Sequence, residues 1–301
     1  MTETKWTSFD GSERELLVWD EGLGDTEIKG VVQIIHGMAE YAERYDDFAG
    51  FLNKNGYVAA ALQDRAHKGA LIRGYETGDI FEDTIRDNLF LTAYLASKYD
   101  APVSVLGHSY GSMIAQGYIQ NAPAIKSVIL SGSAARTDVL SKIGYLVAKI
   151  QKFFLGGKKT AKLIGKLSFG AFDKPYKSEN QKYAWLSRDN AVSKAYDDDP
   201  LCGYDMSINF QVSFLGALQR LPKDENVEKV SKELPIMIIS GDDDPVGGNG
   251  KFVEELYGIY LKNGLKKIKF KLYKGARHEI LNETNKEEVY GDVLDFINTV
   301  S

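Results

Sequence analysis

The sequence has very few of the residues that build disulfide frameworks and metal sites. Among its 301 residues there is one cysteine, Cys202, so no disulfide can form within the chain, and this usage is typical of a reducing compartment. The four histidines and Cys202 do not follow a metal-ligand spacing, and no glycine-rich loop of the phosphate-cradling type occurs. We therefore expect neither a metal ion nor an organic cofactor.

The chain also lacks long apolar segments and an excess of positive charge. No run of about 18 apolar residues is present, which excludes a membrane-spanning helix, and the N-terminal segment lacks the apolar core of a secretory signal. The net charge of −5 argues against a nucleic-acid partner. These absences predict a cytoplasmic protein and leave its oligomeric state open.

What the sequence does contain is a repeated alternation of short apolar runs and helix-like stretches. Because the runs are almost continuously apolar, they are typical of parallel strands that are covered on both faces. Alternation at this spacing predicts an α/β fold with a mostly parallel sheet. Asp10-Gly11 marks a turn between two further strand-like runs, which predicts an antiparallel hairpin at the N-terminal edge of the sheet. The six predicted parallel strands are residues 30–37, 57–64, 102–109, 126–133, 235–242 and 268–275.

One long segment interrupts this alternation. About 100 residues between the strands at 126–133 and 235–242 have helical patterning and no convincing strand. This is far too long for a crossover connection between neighbouring strands. We predict a helical cap, or lid, at residues 134–212, inserted into a catalytic domain formed by residues 1–133 and 213–301.

The motif Gly-His-Ser-Tyr-Gly at residues 107–111 follows a predicted strand and opens a predicted helix. This is the setting of the G-x-S-x-G nucleophile elbow, in which a strained turn exposes a serine hydroxyl and leaves no room for a side chain at either glycine. A chance match to the motif arises in roughly one chain in ten of this length, so its position after a strand carries the argument. We predict that Ser109 is a catalytic nucleophile.

A serine nucleophile needs a histidine base and an acid, which in this arrangement follow the serine along the chain. His278 is the only histidine after Ser109, so the assignment of the base is forced. Residues 242–244, three consecutive aspartates, follow the preceding strand, and we favour Asp244 because Pro245 directly after it restricts the turn. In such a triad the serine attacks the carbonyl, the histidine moves its proton and the aspartate orients the imidazole.

Two backbone N–H groups are expected to stabilise the oxyanion that forms on the attacked carbonyl. One belongs to the residue after the nucleophile and the other to the loop after an earlier strand, which indicates Tyr110 and Met38. His36 and His108 adjoin these loops, and we interpret them as structural residues that are hydrogen-bonded within the loops.

Four segments carry a family resemblance: HGMAEYAERYDDFAGFLNKNGY, GHSYGS, ISGDDDPVGGNGKFV and GARHEILNE. In this order they resemble the monoacylglycerol lipase and bacterial lysophospholipase family of the α/β-hydrolases. The resemblance implies the α/β-hydrolase fold, a triad acid at Asp244, and hydrolysis of the carboxylic ester of a single-acyl-chain lipid, monoacylglycerol or lysophospholipid, through an acyl-enzyme. One segment departs from the family pattern: QDRAHKGAL has Lys68-Gly69 in altered order, in a loop that borders the site in relatives.

Other functions of the same residues stay open. The triad would equally serve a short-chain or aryl carboxylesterase, a thioesterase or an aminopeptidase. A peptidase would need an acidic pair to hold a free N-terminus, for which Asp197, Asp198 and Asp199 are candidates. A preference for long acyl chains would separate a lipid enzyme from these. The non-enzymatic alternative is a binding module with a decayed site, which would not react with a fluorophosphonate.

The predicted cap carries a strongly basic segment. Between residues 142 and 166 there are seven lysines and no aspartate, glutamate or arginine, and apolar residues from Ile143 to Phe154 follow helical spacing. Either the apolar face covers the active site while the lysines are solvated, or the segment docks on an anionic lipid surface, peripherally at the inner membrane face. The lysines are Lys142, Lys149, Lys152, Lys158, Lys159, Lys162 and Lys166.

Overall fold

An eight-stranded sheet forms the centre of the molecule. The computed structural model describes residues 1–21, 23, 27–135 and 139–300, and for residues 166–170 it describes the backbone. The strand order is β1-β2-β4-β3-β5-β6-β7-β8; β1 and β2 pair antiparallel, β2 pairs antiparallel with β4, and all other pairs are parallel. The predicted fold class is confirmed. The strands are β1 Thr2–Thr7, β2 Glu13–Trp19, β3 Gly30–Ile35, β4 Tyr57–Leu62, β5 Val103–His108, β6 Ser127–Ser131, β7 Ile236–Gly241 and β8 Ile268–Tyr273.

The five central strands, β3 to β7, are buried along their whole length. Their almost continuous apolar sequences suit this position, because parallel strands with helices on both faces have no solvent side. The interpretation of residues 268–275 as another buried strand is wrong. β8 lies at the edge of the sheet and only Tyr273 at its end is buried, so Lys269 and Lys271 lie on a strand with one free side.

Helices cover both faces of the sheet. In the described residues they are α1 Asp46–Lys54, α2 Ile80–Tyr99, α3 Tyr110–Ile119, α4 Val139–Leu155, α5 Lys162–Phe172, α6 Asn190–Asp198, α7 Ile208–Leu218, α8 Asp224–Val227, α9 Lys251–Lys262 and α10 Lys286–Thr299. α1 and α10 share an apolar cluster with one face of the sheet, through Phe48 and Phe296. α2, α3 and α9 share another cluster with the opposite face, through Phe81, Tyr118 and Leu256. The carboxyl ends of the parallel strands stay open between these layers.

The segment between β6 and β7 is helical in its described part, which contains α4 to α8 and one isolated bridge between Thr160 and Ser207. We call residues 139–218 of it the inserted segment. α7 packs against both α4 and α2, so the predicted boundary between residues 212 and 213 divides a single helix. The division into catalytic domain and cap stays a prediction, and residues 136–138 and the Lys166 side chain lie outside the described residues.

None of the helices in the described ranges combines the length and the apolar character that crossing a lipid bilayer requires.

Candidate active site

Ser109 lies in a sharp turn between the end of β5 and the start of α3. Its φ of 53° and ψ of −118° are a conformation that residues with a side chain rarely adopt. The two glycines of the motif make the turn possible. A Cβ atom at Gly107 would lie 2.3 Å from the carbonyl oxygen of Gly111, and one at Gly111 would lie 2.1 Å from the carbonyl oxygen of Ile35. The close approach of three backbone segments therefore excludes any larger residue at either position.

His278 and Asp244 form a buried hydrogen-bonded pair on the loops after β8 and β7. His278 Nδ1 lies 2.9 Å from Asp244 Oδ2. The aspartate is held from two further directions, by the Ser240 hydroxyl at 3.0 Å and the Val246 N–H at 2.8 Å. His278 Nε2 is buried and has no hydrogen-bond partner among the described residues, and His278 lines the same cavity as Ser109. One nitrogen of the imidazole is thus fixed, and the other is available to a reacting group.

The electrostatics of this pair favour a protonated imidazole. Burial alone would lower the pKa of His278, but the charge of Asp244 and the hydrogen bond outweigh this effect, so the pKa lies above its ordinary value. Burial likewise opposes ionisation of Asp244, and the positive charge and hydrogen bond of His278 keep the pKa of the carboxyl below its usual range. The two groups therefore stabilise each other's charged forms.

The backbone around Met38 and Tyr110 offers two free donors. Neither N–H group has a hydrogen-bond acceptor among the described residues, and both residues line the cavity that contains Ser109. Tyr110 is the first residue of α3, so its N–H group also carries the positive end of the helix dipole. Ala39, directly after Met38, has a φ of 56° and donates its N–H to His67 Nε2 at 3.1 Å. His67 thus fixes the backbone next to Met38.

A cavity of about 330 Å³ opens above Ser109. Its upper wall comes from the inserted segment, through Ile143 and Val147 of α4 and through Phe214 and Leu218 of α7. Its polar lining, apart from Ser109 and the histidines, includes Glu40, Gln211 and Glu279. The arrangement brings a serine hydroxyl, an unpartnered imidazole nitrogen and two backbone N–H groups to one end of a largely apolar chamber.

Comparison with known proteins identifies the family. Residues 26–285 match the family model described as serine aminopeptidase, S33, which is well over half of the chain. The chain belongs to this α/β-hydrolase family. It is 29% identical over 297 residues to the monoacylglycerol lipase of Mycolicibacterium smegmatis, covering 96% of this chain and 95% of that protein. It is 25% identical to the monoglyceride lipase of Saccharomyces cerevisiae, covering 98% of this chain and 93% of the relative.

A solved structure agrees over the whole length of this family member. The carboxyl esterase from Bacillus coagulans, crystallised with glycerol, superposes with a TM-score of 0.88 at 26% identity and covers 99% of this chain and 98% of its own. The predicted resemblance to monoacylglycerol lipases and bacterial lysophospholipases is confirmed, as is the α/β-hydrolase fold.

The remaining candidates do not bond to Ser109, His278 or Asp244, although His108 lines the cavity and its ring centre lies 4.9 Å from that of His278. Of the three consecutive aspartates, Asp242 accepts the Gly275 N–H, and Asp243 is half-buried with its carboxylate 4.0 Å from Arg277. His36 Nδ1 donates to the Gly37 carbonyl at 2.8 Å, and His108 Nδ1 lies 3.3 Å from the Ser131 hydroxyl. Both histidines are hydrogen-bonded within the structure as expected of structural residues.

The altered loop after β4 has a different place from the one that the resemblance implies. No residue from Asp64 to Gly69 lines the described cavity. Arg65 binds both carboxylate oxygens of Asp87, at 2.7 and 2.8 Å, and His67 accepts the Ala39 N–H. The loop therefore supports the backbone near Met38 and does not itself line the cavity.

Sequence reasoning missed a buried charge cluster in the same hydrolase site. Glu40 and Glu279 line the cavity, and both carboxylates bind the guanidinium of Arg44. The spacing of Glu40 and Arg44, four residues apart, was a local signal of an ion pair. Glu279 has no such signal because 235 residues separate it from Arg44.

Proposed function

We propose that the protein hydrolyses carboxylic esters with Ser109 as nucleophile, His278 as general base and acid, and Asp244 as the group that orients the imidazole. The observation that carries this proposal is the strained Ser109 turn opening into a cavity that His278 also lines, with the far nitrogen of His278 bonded to buried Asp244. A hydroxyl in such a turn becomes a nucleophile when a base removes its proton.

The reaction follows from these positions. Ser109 Oγ attacks the ester carbonyl while His278 Nε2 accepts its proton, and Asp244 stabilises the imidazolium that forms. The N–H groups of Met38 and Tyr110 bind the oxyanion. His278 then gives the proton to the departing alcohol, and it activates a water molecule that releases the acid from the acyl-enzyme. In enzymes without bound substrate, the hydrogen bonds between catalytic groups are often long. This accounts for the absence of a hydrogen-bond partner at His278 Nε2.

The preferred substrate is a lipid with a single acyl chain, monoacylglycerol or lysophospholipid. The cavity has a volume of about 330 Å³ and apolar walls from α4 and α7, at the lower end of the roughly 300–1,000 Å³ of small-molecule pockets. One chain fills such a space more readily than two. The names of the mycobacterial and yeast relatives, monoacylglycerol lipase and monoglyceride lipase, support the same class.

An aminopeptidase activity, which the family description suggests, fits the cavity less well. A free N-terminus needs unpaired carboxylates close to the nucleophile. Asp197 and Asp198 are exposed and pair with lysines, while Asp199 accepts the Tyr41 hydroxyl at 2.6 Å, and none of the three lines the cavity. Glu40 and Glu279 do line it, but both carboxylates are already ion-paired with the guanidinium of Arg44. Short-chain esterase and thioesterase activities use the same groups and are separated by the substrate panel below.

We further infer that the inserted segment acts as a cap that docks on an anionic lipid surface. Nine of the fourteen exposed large apolar side chains in the described residues lie between residues 139 and 163, and Phe153 and Phe154 are 83% and 75% exposed. We call these nine the apolar patch: Val139, Leu140, Ile143, Leu146, Ile150, Phe153, Phe154, Leu155 and Leu163.

The charge around the apolar patch indicates what kind of surface binds to it. Six exposed lysines accompany it in a stretch without acidic residues, which suits an anionic membrane and opposes a second copy of the same basic surface. Leu140 and Ile143 belong both to the patch and to the cavity lining. An acyl chain therefore has a continuous apolar route from the lipid surface to Ser109.

The first experiment combines labelling with a substrate panel. A fluorophosphonate is expected to label the wild-type protein at Ser109, and free-acid release is compared for monooleoylglycerol, lysophosphatidylcholine and a short-chain p-nitrophenyl ester. Ser109→Ala is expected to lower kcat by about 10⁶-fold with an unchanged melting temperature. Turnover near the wild-type rate in this variant refutes the mechanism. Activity on the short ester alone refutes the lipid substrate, and release of an N-terminal amino acid from a peptide favours the aminopeptidase.

A further inference from the structure

A single guanidinium beneath the cavity joins two loops that the proposed reaction needs. Arg44 Nη1 and Nη2 donate to the two carboxylate oxygens of Glu279, each at 2.8 Å, and Nη1 also donates to Glu40. Glu279 directly follows His278, and Glu40 lies two residues after Met38. Both glutamate side chains are 4% exposed. Arg44 thus bridges the base and the loop of the oxyanion donor from below.

The Glu40 end of the bridge fixes the oxyanion loop. Glu40 Oε1 accepts the N–H of Gly37 and, at 2.9 Å, the hydroxyl of Tyr45. A Cβ atom at Gly37 would lie 2.6 Å from Glu40 Oε1, so only glycine lets the carboxylate approach this backbone. The position of Gly37 sets the position of the next peptide, which carries the Met38 N–H group.

The Glu279 end fixes the histidine loop. The Glu279 backbone N–H donates to the Leu186 carbonyl at 2.7 Å, and Asn282 Nδ2 donates to Glu279 Oε2 at 3.0 Å. The Arg44 guanidinium also lies 4.9 Å from the ring centre of Tyr196 in α6, whose hydroxyl donates to the Ala39 carbonyl at 3.0 Å. The same guanidinium therefore contacts the inserted segment as well as both loops.

The bridge also sets the charge next to the reacting atoms. Two carboxylates face one guanidinium, so the cluster carries one net negative charge, and removing the arginine leaves two uncompensated carboxylates in a buried site. Their charge would oppose the oxyanion and favour the imidazolium. The charged and titratable groups around His278 are Asp244, Glu40, Arg44, His108, Arg277 and Glu279.

We propose that Arg44 is a positioning residue of the reaction: through Glu40 and Glu279 it holds the Met38 backbone and His278 in register across the cavity. The proposal rests on the proposed function, because it assigns Arg44 to the chemistry of Ser109 and His278. It predicts that Arg44 affects the rate and pH dependence of the chemical step more than substrate binding.

The test uses four variants of the full chain and a soluble short-chain ester. Arg44→Met is expected to lower kcat by about 10- to 100-fold with little change in KM, as for a misplaced oxyanion donor. The acid limb of its kcat/KM profile moves to higher pH. In Arg44→Met/Glu279→Gln the cluster has the same net charge as in the wild type. The acid limb is therefore expected to return to its wild-type pH, while kcat stays low because the bridge is absent. Arg44→Lys keeps the charge and recovers only part of kcat, because an ammonium cannot bind a carboxylate bidentately.

Arg188→Met is the matched control. Arg188 pairs at 2.9 Å with Glu283, which lies on the same loop as His278, and Arg188 does not line the cavity. Loss of Arg188 is therefore expected to lower the melting temperature without changing kcat or the acid limb of the kcat/KM profile. A folded Arg44→Met protein that has the kcat and the acid limb of the wild type overturns the proposal. If that variant does not fold, Arg44→Lys decides, and wild-type kcat there overturns it.

Fluorophosphonate labelling separates this inference from the proposed function. A wild-type protein that is not labelled at Ser109 refutes the function itself. A labelled wild type whose Arg44 variants are labelled at the same rate refutes only the positioning role.

Discussion

The two walls of the cavity differ in the burial of their side chains. The lower wall consists of loops at the carboxyl ends of β3, β5, β7 and β8, where Asp244 is 0% and His278 2% exposed and where Asp244 accepts three hydrogen bonds. The upper wall is formed by α4 and α7, and α4 leaves Phe153 and Phe154 in solvent beside lysines. Chemistry needs fixed donors and acceptors, whereas capture of a lipid needs apolar area that has no partner until the lipid arrives.

The lower wall is expected to govern the rate of the chemical step. Asp244→Asn removes the charge that stabilises the imidazolium and allows the wrong imidazole tautomer, so kcat on a soluble ester falls by about 10⁴-fold. Binding to vesicles stays unchanged, because α4 is not altered. Steady-state kinetics and vesicle sedimentation measure the two effects.

Asp243→Asn is the neighbouring control for Asp244→Asn. The Asp243 side chain is 46% exposed and its carboxylate lies 4.0 Å from Arg277, so kcat is expected to stay within a few-fold of the wild type. Equal losses in the two variants contradict the assignment of Asp244 as the orienting acid.

The upper wall is expected to govern binding to lipid surfaces. Phe153→Ser/Phe154→Ser removes two exposed aromatic side chains, each contributing about 1.5–3 kcal/mol when buried, so vesicle affinity falls by about 100-fold or more. Hydrolysis of a soluble short-chain ester stays at the wild-type rate. Phe90→Ser/Leu261→Ser removes two exposed apolar residues outside the patch and is expected to leave vesicle binding intact. Equal losses in both double variants argue against docking through the patch.

Acidification is expected to affect the lower wall alone. Because Asp244 raises the pKa of His278 above its ordinary value of 6.5, the imidazole becomes protonated, and unable to accept the Ser109 proton, already above pH 6.5. On the acid side of this pKa, kcat/KM falls about tenfold per pH unit. Vesicle binding is expected to persist over this range, because residues 139–163 contain no histidine, aspartate or glutamate. An acid limb below pH 6.5 contradicts the electrostatic interpretation of the pair.

The smallest expected effect belongs to the lysines. Lys158→Gln/Lys159→Gln lowers affinity for anionic vesicles by about tenfold at low salt, since each lysine near the surface contributes about 1 kcal/mol at most. The loss shrinks at high salt and is absent with neutral phosphatidylcholine vesicles. Lys54→Gln/Lys98→Gln changes two exposed lysines outside the inserted segment and serves as the control. Equal binding of wild type to neutral and anionic vesicles contradicts the charge argument.

Much of the lower wall follows from local sequence. The central strands could be predicted because their apolar runs have only one stable environment, between two helical layers. The Ser109 turn could be predicted because it leaves no room for a side chain at Gly107 or Gly111, and this requirement appears in the sequence as a local motif. The edge position of β8 could not be predicted in this way, because it depends on which strands of the sheet lack a second neighbour.

Other features depend on contacts that no local pattern records. The sequence by itself determined the order of the elements, the sharp turn at Ser109 and the choice of His278 as the one histidine after it, since these depend on residue type and on order along the chain. The sequence favoured Asp244 among three aspartates, and the tertiary structure decided that it is the one bonded to His278. The tertiary structure alone decided that α4 faces both the cavity and solvent. It also decided that Arg44 binds Glu279, 235 residues away. Side-chain direction and long-range proximity arise only when loops from separate strands meet at one end of the sheet.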